Sequence, residues 1–130
     1  MTTVRFLNGL STIGGNIMEI ATETSRVIMD FGMTENNEET DAETLIAQHS
    51  LPALNELFQD NQKHAFQHEA IFISHLHLDH TAALAYLRSN IPVYISHESY
   101  RLYQNLAGSD LAIPLGINLH AFKYEHAIQI

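Results

Sequence analysis

With 130 residues, 45% apolar and 16% charged, the chain has the size and balance of one globular domain rather than a disordered segment. Its 15 acidic against 6 basic residues give a formal charge of −9, which repels phosphate backbones and counts mildly against nucleic-acid binding by surface charge. There is no cysteine, which excludes disulfides and thiolate metal sites, and no apolar run of signal-peptide or membrane-spanning length, so a cytoplasmic protein with no membrane partner is expected.

Val4–Leu7 reads as a first strand, followed by a glycine-rich turn through Gly9 and Gly14-Gly15. Asn16–Ala21 alternates with period two, the sign of a half-buried strand. The polar turn Thr22-Glu23-Thr24 joins it to Arg26–Asp30 as a hairpin, which Asp30-Phe31-Gly32 closes. Thr34–Asp41 is polar and acidic, a solvated loop. Leu45, Ile46, His49, Leu51, Leu54, Leu57 and Phe58 follow helical spacing, with Pro52 dividing the stretch into two helices and Ser50 capping the second.

Ala70–Ser74 is the central buried strand. A helix over Thr81–Arg88 places Ala83, Leu84 and Leu87 on one face and stops near Asn90, ahead of Pro92. Val93–Ile95 is a further short strand, and Ser96 caps a helix from His97 to about Leu106. Gly108 through Gly116 is loop, Leu119–Tyr124 a strand, and Ala127–Ile130 the beginning of another. Antiparallel pairing early and strand–helix alternation later predict an α/β (α+β) fold, a mixed sheet with helices on one face. There is no internal repeat or interdomain linker, so residues 1–130 form one unit.

The stretch richest in chemistry is Ser74-His75-Leu76-His77-Leu78-Asp79-His80, four potential metal ligands within six residues after the apolar run Ala70-Ile71-Phe72-Ile73. In an extended segment residues i and i+2 point the same way, so His75, His77 and Asp79 are expected to converge at the strand end, with His80 following as the backbone turns into a helix. Imidazole and carboxylate suit zinc, and also iron and manganese. The plainer alternative is a surface histidine tract holding no metal. Position argues for a built site, because the cluster follows a strand and precedes a helix.

These residues resemble the metallo-β-lactamase superfamily of hydrolases. The resemblance is carried by the hairpin ending in Asp30-Phe31-Gly32, the His75–His80 cluster, and the strand Pro92-Val93-Tyr94-Ile95 after the intervening helix. It implies two divalent metal ions, with His75 and His77 holding the first and Asp79 and His80 the second. It also implies that Asp30 braces the metal loop through a hydrogen bond. The family's remaining ligands, a His, a bridging Asp and a last His, are expected beyond Ile130. His120 and His126, like His49, His64, His68 and His97, read as surface or core-edge residues. The resemblance covers the N-terminal half of a two-sheet αββα sandwich, so the unit is expected to be partial. Its missing C-terminal half, or self-association, would cover an exposed sheet face. Met1 suggests an intact N-terminus, with the loss at the other end.

The implied reaction is hydrolysis by metal-activated water. The ions lower the pKa of water toward neutrality and polarise the scissile group, while Asp79 is a candidate catalytic residue that orients water or shuttles its proton. The opening Phe6–Asn16, with strand Arg26–Asp30, looks most like the ribonuclease J type of RNA-processing nuclease, although those enzymes more often carry Gly and Glu where this chain has Leu76 and Leu78. RNA phosphodiester hydrolysis is therefore the favoured activity. The alternatives are a small-molecule thioester, lactone or lactam hydrolase and a non-catalytic metal-binding or assembly fragment. With only four ligands, the 130-residue chain alone is expected to be inactive.

Overall fold

The structure is a computed structural model that describes residues 1–34, 41–60, 62–106, 114 and 116–130. Six strands form one sheet in the order of the chain: β1 (Thr3–Asn8), β2 (Ile17–Ala21), β3 (Ser25–Met29), β4 (His68–Phe72), β5 (Val93–Ser96) and β6 (Leu119–Phe122). The β1–β2 and β2–β3 pairs are antiparallel, and β3–β4, β4–β5 and β5–β6 are parallel. The expected mixed sheet is present.

Register divides the side chains between two faces. One face carries Ile28, Ile71, Val93 and Leu119 in line across the last four strands. Over it lie α1 (Ala42–Ala47) and α2 (Asn55–Phe58), and α3 (Leu78–Thr81) continues into a 3-10 turn at Ala82–Tyr86. Ile17, Ile28, Ile71, Ile73, Val93 and Ile95 from the sheet side pack with Leu45, Leu57, Phe58, Ala83 and Leu84 from the helical side. Phe31 stacks on Phe58 at 5.6 Å between ring centres, tying the end of the hairpin to α2.

A charged cluster is buried on this same face. Arg26 is 1% exposed, and register sets it opposite Glu69. It hydrogen-bonds Glu69 and Glu56 and lies 3.5 Å from Glu19, itself 1% exposed and paired with Arg5 across β1–β2. Burial disfavours the guanidinium charge, but the hydrogen bonds and charges of Glu69 and Glu56 outweigh it and hold the Arg26 pKa above its ordinary value.

The opposite face is apolar, and among the described residues no helix lies over it. Phe6, Met18, Met29, Phe72, Tyr94 and His120 form one row across all six strands, and Val4, Ile20, Val27 and Ala70 form a second. Phe72 stacks on Tyr94 at 5.0 Å and Tyr94 on His120 at 5.2 Å. Val4 and Phe6 are 57% and 59% exposed.

Several local expectations need correction. Ser50 does not cap the second helix. The chain leaves α1 through His49 at φ 62°, the amides of Ser50 and Leu51 both donate to the Leu45 carbonyl, and α2 begins only at Asn55. Asp41, read as loop, caps α1 by accepting from the Thr44 amide at 2.8 Å, a bond that holds its carboxyl below the usual range. The expected helix over Thr81–Arg88 starts earlier, at Leu78, and is α-helical only to Thr81. Ala127–Ile130 forms no strand. Most of the predicted loops at 34–41 and 108–116 fall outside the described residues. Among the described residues, no helix is long and apolar enough to cross a membrane.

Removing Arg26 would leave Glu69 buried without its guanidinium partner and Glu19 with Arg5 alone. Arg26→Ala should therefore lower stability by about 3–5 kcal/mol, read as a shift in the urea midpoint. A loss under 1 kcal/mol would show that the cluster is not held as a buried unit.

Candidate metal centre

The cluster begins where β4 ends. Phe72 is the last strand residue, and Ser74 to His77 follow as loop, with His77 at the N-cap position of α3. Asp79 and His80 lie inside that helix. The extended alternation expected to bring His75, His77 and Asp79 to one side does not reach this far, because the backbone has already begun to coil.

Ligand atoms of His75, Asp79 and His80 lie within 4.8 Å of one another, and among the described residues they are the one group of three or more such side chains. The His75 and His80 rings are 4.0 Å apart between centres. His77 stands outside the group, its exposed ring edge-on to His75 at 4.8 Å. The side chains as placed thus group His75 with Asp79 and His80 rather than with His77. The His75 and His80 rings are oriented by hydrogen bonds at their Nδ1 atoms, to Ser74 and Asp30 respectively.

Asp30 sits beneath the cluster at φ 58°, in the left-handed region that Asp tolerates better than most residues. Its Oδ1 accepts the Ser74 amide at 2.7 Å, and its Oδ2 accepts the Ser74 hydroxyl at 2.9 Å and faces His80 Nδ1 at 2.8 Å. Ser74, part of the motif but given no role from sequence, also has its Oγ 2.9 Å from His75 Nδ1.

Main-chain contacts fix the turn that carries Asp79 and His80. The Gly15 amide donates to the Asp79 carbonyl at 3.0 Å and the Phe31 amide to the His80 carbonyl at 2.9 Å. In an uninterrupted α-helix those carbonyls would accept from Ala83 and Leu84. The Ala83 amide donates instead to the Phe31 carbonyl at 3.0 Å. That exchange explains why α3 is short and tightens into a 3-10 turn. It also gives the glycines their purpose, because a Cβ on Gly32 would stand 1.6 Å from the Asp79 carbonyl oxygen and one on Gly14 would stand 2.7 Å from Asp79 Cβ. Glycine pairs flanking a hairpin are a readable sign of close backbone approach, but sequence does not say what approaches.

The donor set fits a cation. With Nδ1 facing the Asp30 carboxylate, His80 turns its Nε2 toward Asp79 Oδ2, 3.3 Å away. A nitrogen lone pair and a carboxylate oxygen at that separation repel unless a proton or a metal lies between them.

Comparison with known proteins agrees with the geometry. The family model of the metallo-beta-lactamase superfamily matches residues 11–110, and the chain belongs to that superfamily. The solved structures it resembles include a protein of unknown function from Enterococcus faecalis V583, with a TM-score of 0.79 and 28% identity over 99% of this chain. This chain spans 35% of that one, about a third of its length. No curated protein matches.

Because a Gly32 Cβ has only backbone to displace, Gly32→Ala should cost at least about 3 kcal/mol and weaken zinc uptake. Urea unfolding and zinc titration would read both effects. Wild-type values in both would show that the hairpin does not constrain the Asp79–His80 turn.

Proposed function

We propose that this chain is the metal-binding half of a metal-dependent hydrolase, with phosphodiester bonds in RNA as the favoured substrate. The observation that carries the hydrolase reading is the convergence of His75, Asp79 and His80 over Asp30 in a chain of this superfamily. Support for RNA is narrower. The opening segment that looks like a ribonuclease J-type enzyme leads into the site, since Gly15 bonds the Asp79 carbonyl and Gly14 packs on its side chain.

Two divalent ions, zinc in the first instance with manganese or iron as alternatives, would be held by His75 and His77 and by Asp79 and His80. Bound there, they would supply Lewis acidity toward the scissile group and acidify water. The chain's own residues would do the rest. Asp79, 43% exposed in its side chain, would orient water or accept its proton, and Asp30 would keep His80 turned toward the ligand cluster.

His77→Ala should lose about half the bound metal, as measured by elemental analysis of zinc-loaded protein. Wild-type stoichiometry would remove His77 from the ligand set. For the substrate, a longer protein containing this unit should cleave an RNA oligonucleotide in preference to thioester or lactone esters. Turnover of the esters with inert RNA would overturn the RNA assignment and leave the hydrolase class standing.

The apolar face supports a second sheet as its cover, supplied by the C-terminal half of a longer protein. The solved relative has length to spare for such a half. Without it, the 130-residue chain should be catalytically silent and should self-associate as concentration rises. Sedimentation should show less association for Phe6→Lys, which charges the open row. A monomeric wild-type chain at all concentrations would argue against an exposed association surface.

A further inference from the structure

We infer that Ser74 is a positioning residue: it relays the Asp30 carboxylate to His75, so that one buttressing carboxylate fixes the Nδ1 proton of two candidate metal ligands at once. The role of this relay in metal binding rests on the reading given above, but the relay itself concerns only where protons sit.

The argument is one of hydrogen-bond capacity. An ionised carboxylate only accepts. Asp30 Oδ2 faces both the Ser74 hydroxyl at 2.9 Å and His80 Nδ1 at 2.8 Å, so both must donate to it. His80 therefore carries a proton on Nδ1. A serine hydroxyl has one proton, and Asp30 has taken it. Ser74 Oγ can then only accept from His75 Nδ1, 2.9 Å away. His75 is thereby held as the Nδ1–H form with Nε2 free. Neutral imidazole in water favours the opposite form, so the arrangement selects the minority tautomer at His75.

The geometry also separates the two ligands. His80 touches Asp30 directly, whereas His75 reaches it only through Ser74. The Ser74 amide bond to Asp30 Oδ1 does not need the side chain and keeps the loop in place when the hydroxyl is removed. A Ser74→Ala variant should accordingly release His75 while sparing His80 and the fold. A Ser74→Thr variant keeps the hydroxyl and should behave as wild type.

The test is two-bond 15N–1H correlation spectroscopy of the imidazoles in metal-free protein, at about pH 8, above the ordinary histidine pKa of roughly 6.5. Expected in wild type are a protonated Nδ1 at both His75 and His80 and a bare Nε2 at His75. In Ser74→Ala, His75 should shift to the Nε2–H form while His80 is unmoved, and Ser74→Thr should restore His75. Zinc titration should show affinity reduced about tenfold or more in Ser74→Ala, with the urea midpoint unchanged. An Nε2–H His75 in wild type, or a His75 tautomer indifferent to Ser74→Ala, would overturn the relay. Wild-type protein that shows the stated tautomers but takes up no zinc would keep the relay and sink the metal reading instead.

Discussion

The turn bearing Asp79 and His80 is held from outside its own helix, and most of the site depends on that. Two carbonyls that would ordinarily continue an α-helix are taken by the Gly15 and Phe31 amides. This knits the β1–β2 loop, the end of the β2–β3 hairpin and the start of α3 into one main-chain assembly. Main-chain bonds of this kind fix a backbone without relying on side-chain rotamers, which suits a place where side chains must be free to serve as ligands. The close approach they demand is met by glycine at positions 14 and 32, where a Cβ would collide with Asp79.

Asp30 adds the side-chain half of the same constraint. It stands at the end of β3, beside β4, and its amide bonds the Phe72 carbonyl while its carboxylate gathers the Ser74 amide, the Ser74 hydroxyl and His80. The parallel pairing of β3 with β4 puts both C-terminal ends at the same edge of the sheet. One strand end can therefore support the loop that leaves the other. Ligand-bearing loops at the carboxyl ends of parallel strands are a general consequence of this topology.

Much of this was legible in the chain, and the reasons for the exceptions are physical. Period-two alternation in Asn16–Ala21 and the apolar run at Ala70–Ile73 locate β2 and β4 because burial acts on each residue separately. The motif His75–His80 locates the candidate site because its residue types are scarce elsewhere in such density. The helix after it was misplaced, since apolar spacing over Ala83, Leu84 and Leu87 says which face is buried but not where hydrogen bonding to a distant loop will interrupt the ladder. Ser50 was misread for a related reason. A serine before Pro52 has the chemistry of a cap, yet the left-handed His49 and the Leu45 carbonyl use that stretch to end α1 instead. Ser74's contacts to Asp30 and His75 cross 44 residues in one case and a single peptide in the other, and only the fold sets both distances.

The two faces of the sheet carry one further implication. A sheet with a solvated side normally alternates apolar and polar residues along each strand, but Ala70 and Ile71 are consecutive, point to opposite faces, and are both fully buried. Beside them the open face presents Phe6, Met18, Met29, Phe72 and Tyr94, while the buried charges of Arg26, Glu19 and Glu69 lie under the helices. Had water been the permanent neighbour of the open face, the cheaper arrangement would reverse that placement, since apolar surface gains by burial and an isolated charge loses by it. The pattern fits the proposed second layer over the open face. The candidate ligand cluster starts three residues after Phe72, where β4 ends, so it lies at the end of the sheet that such a layer would share.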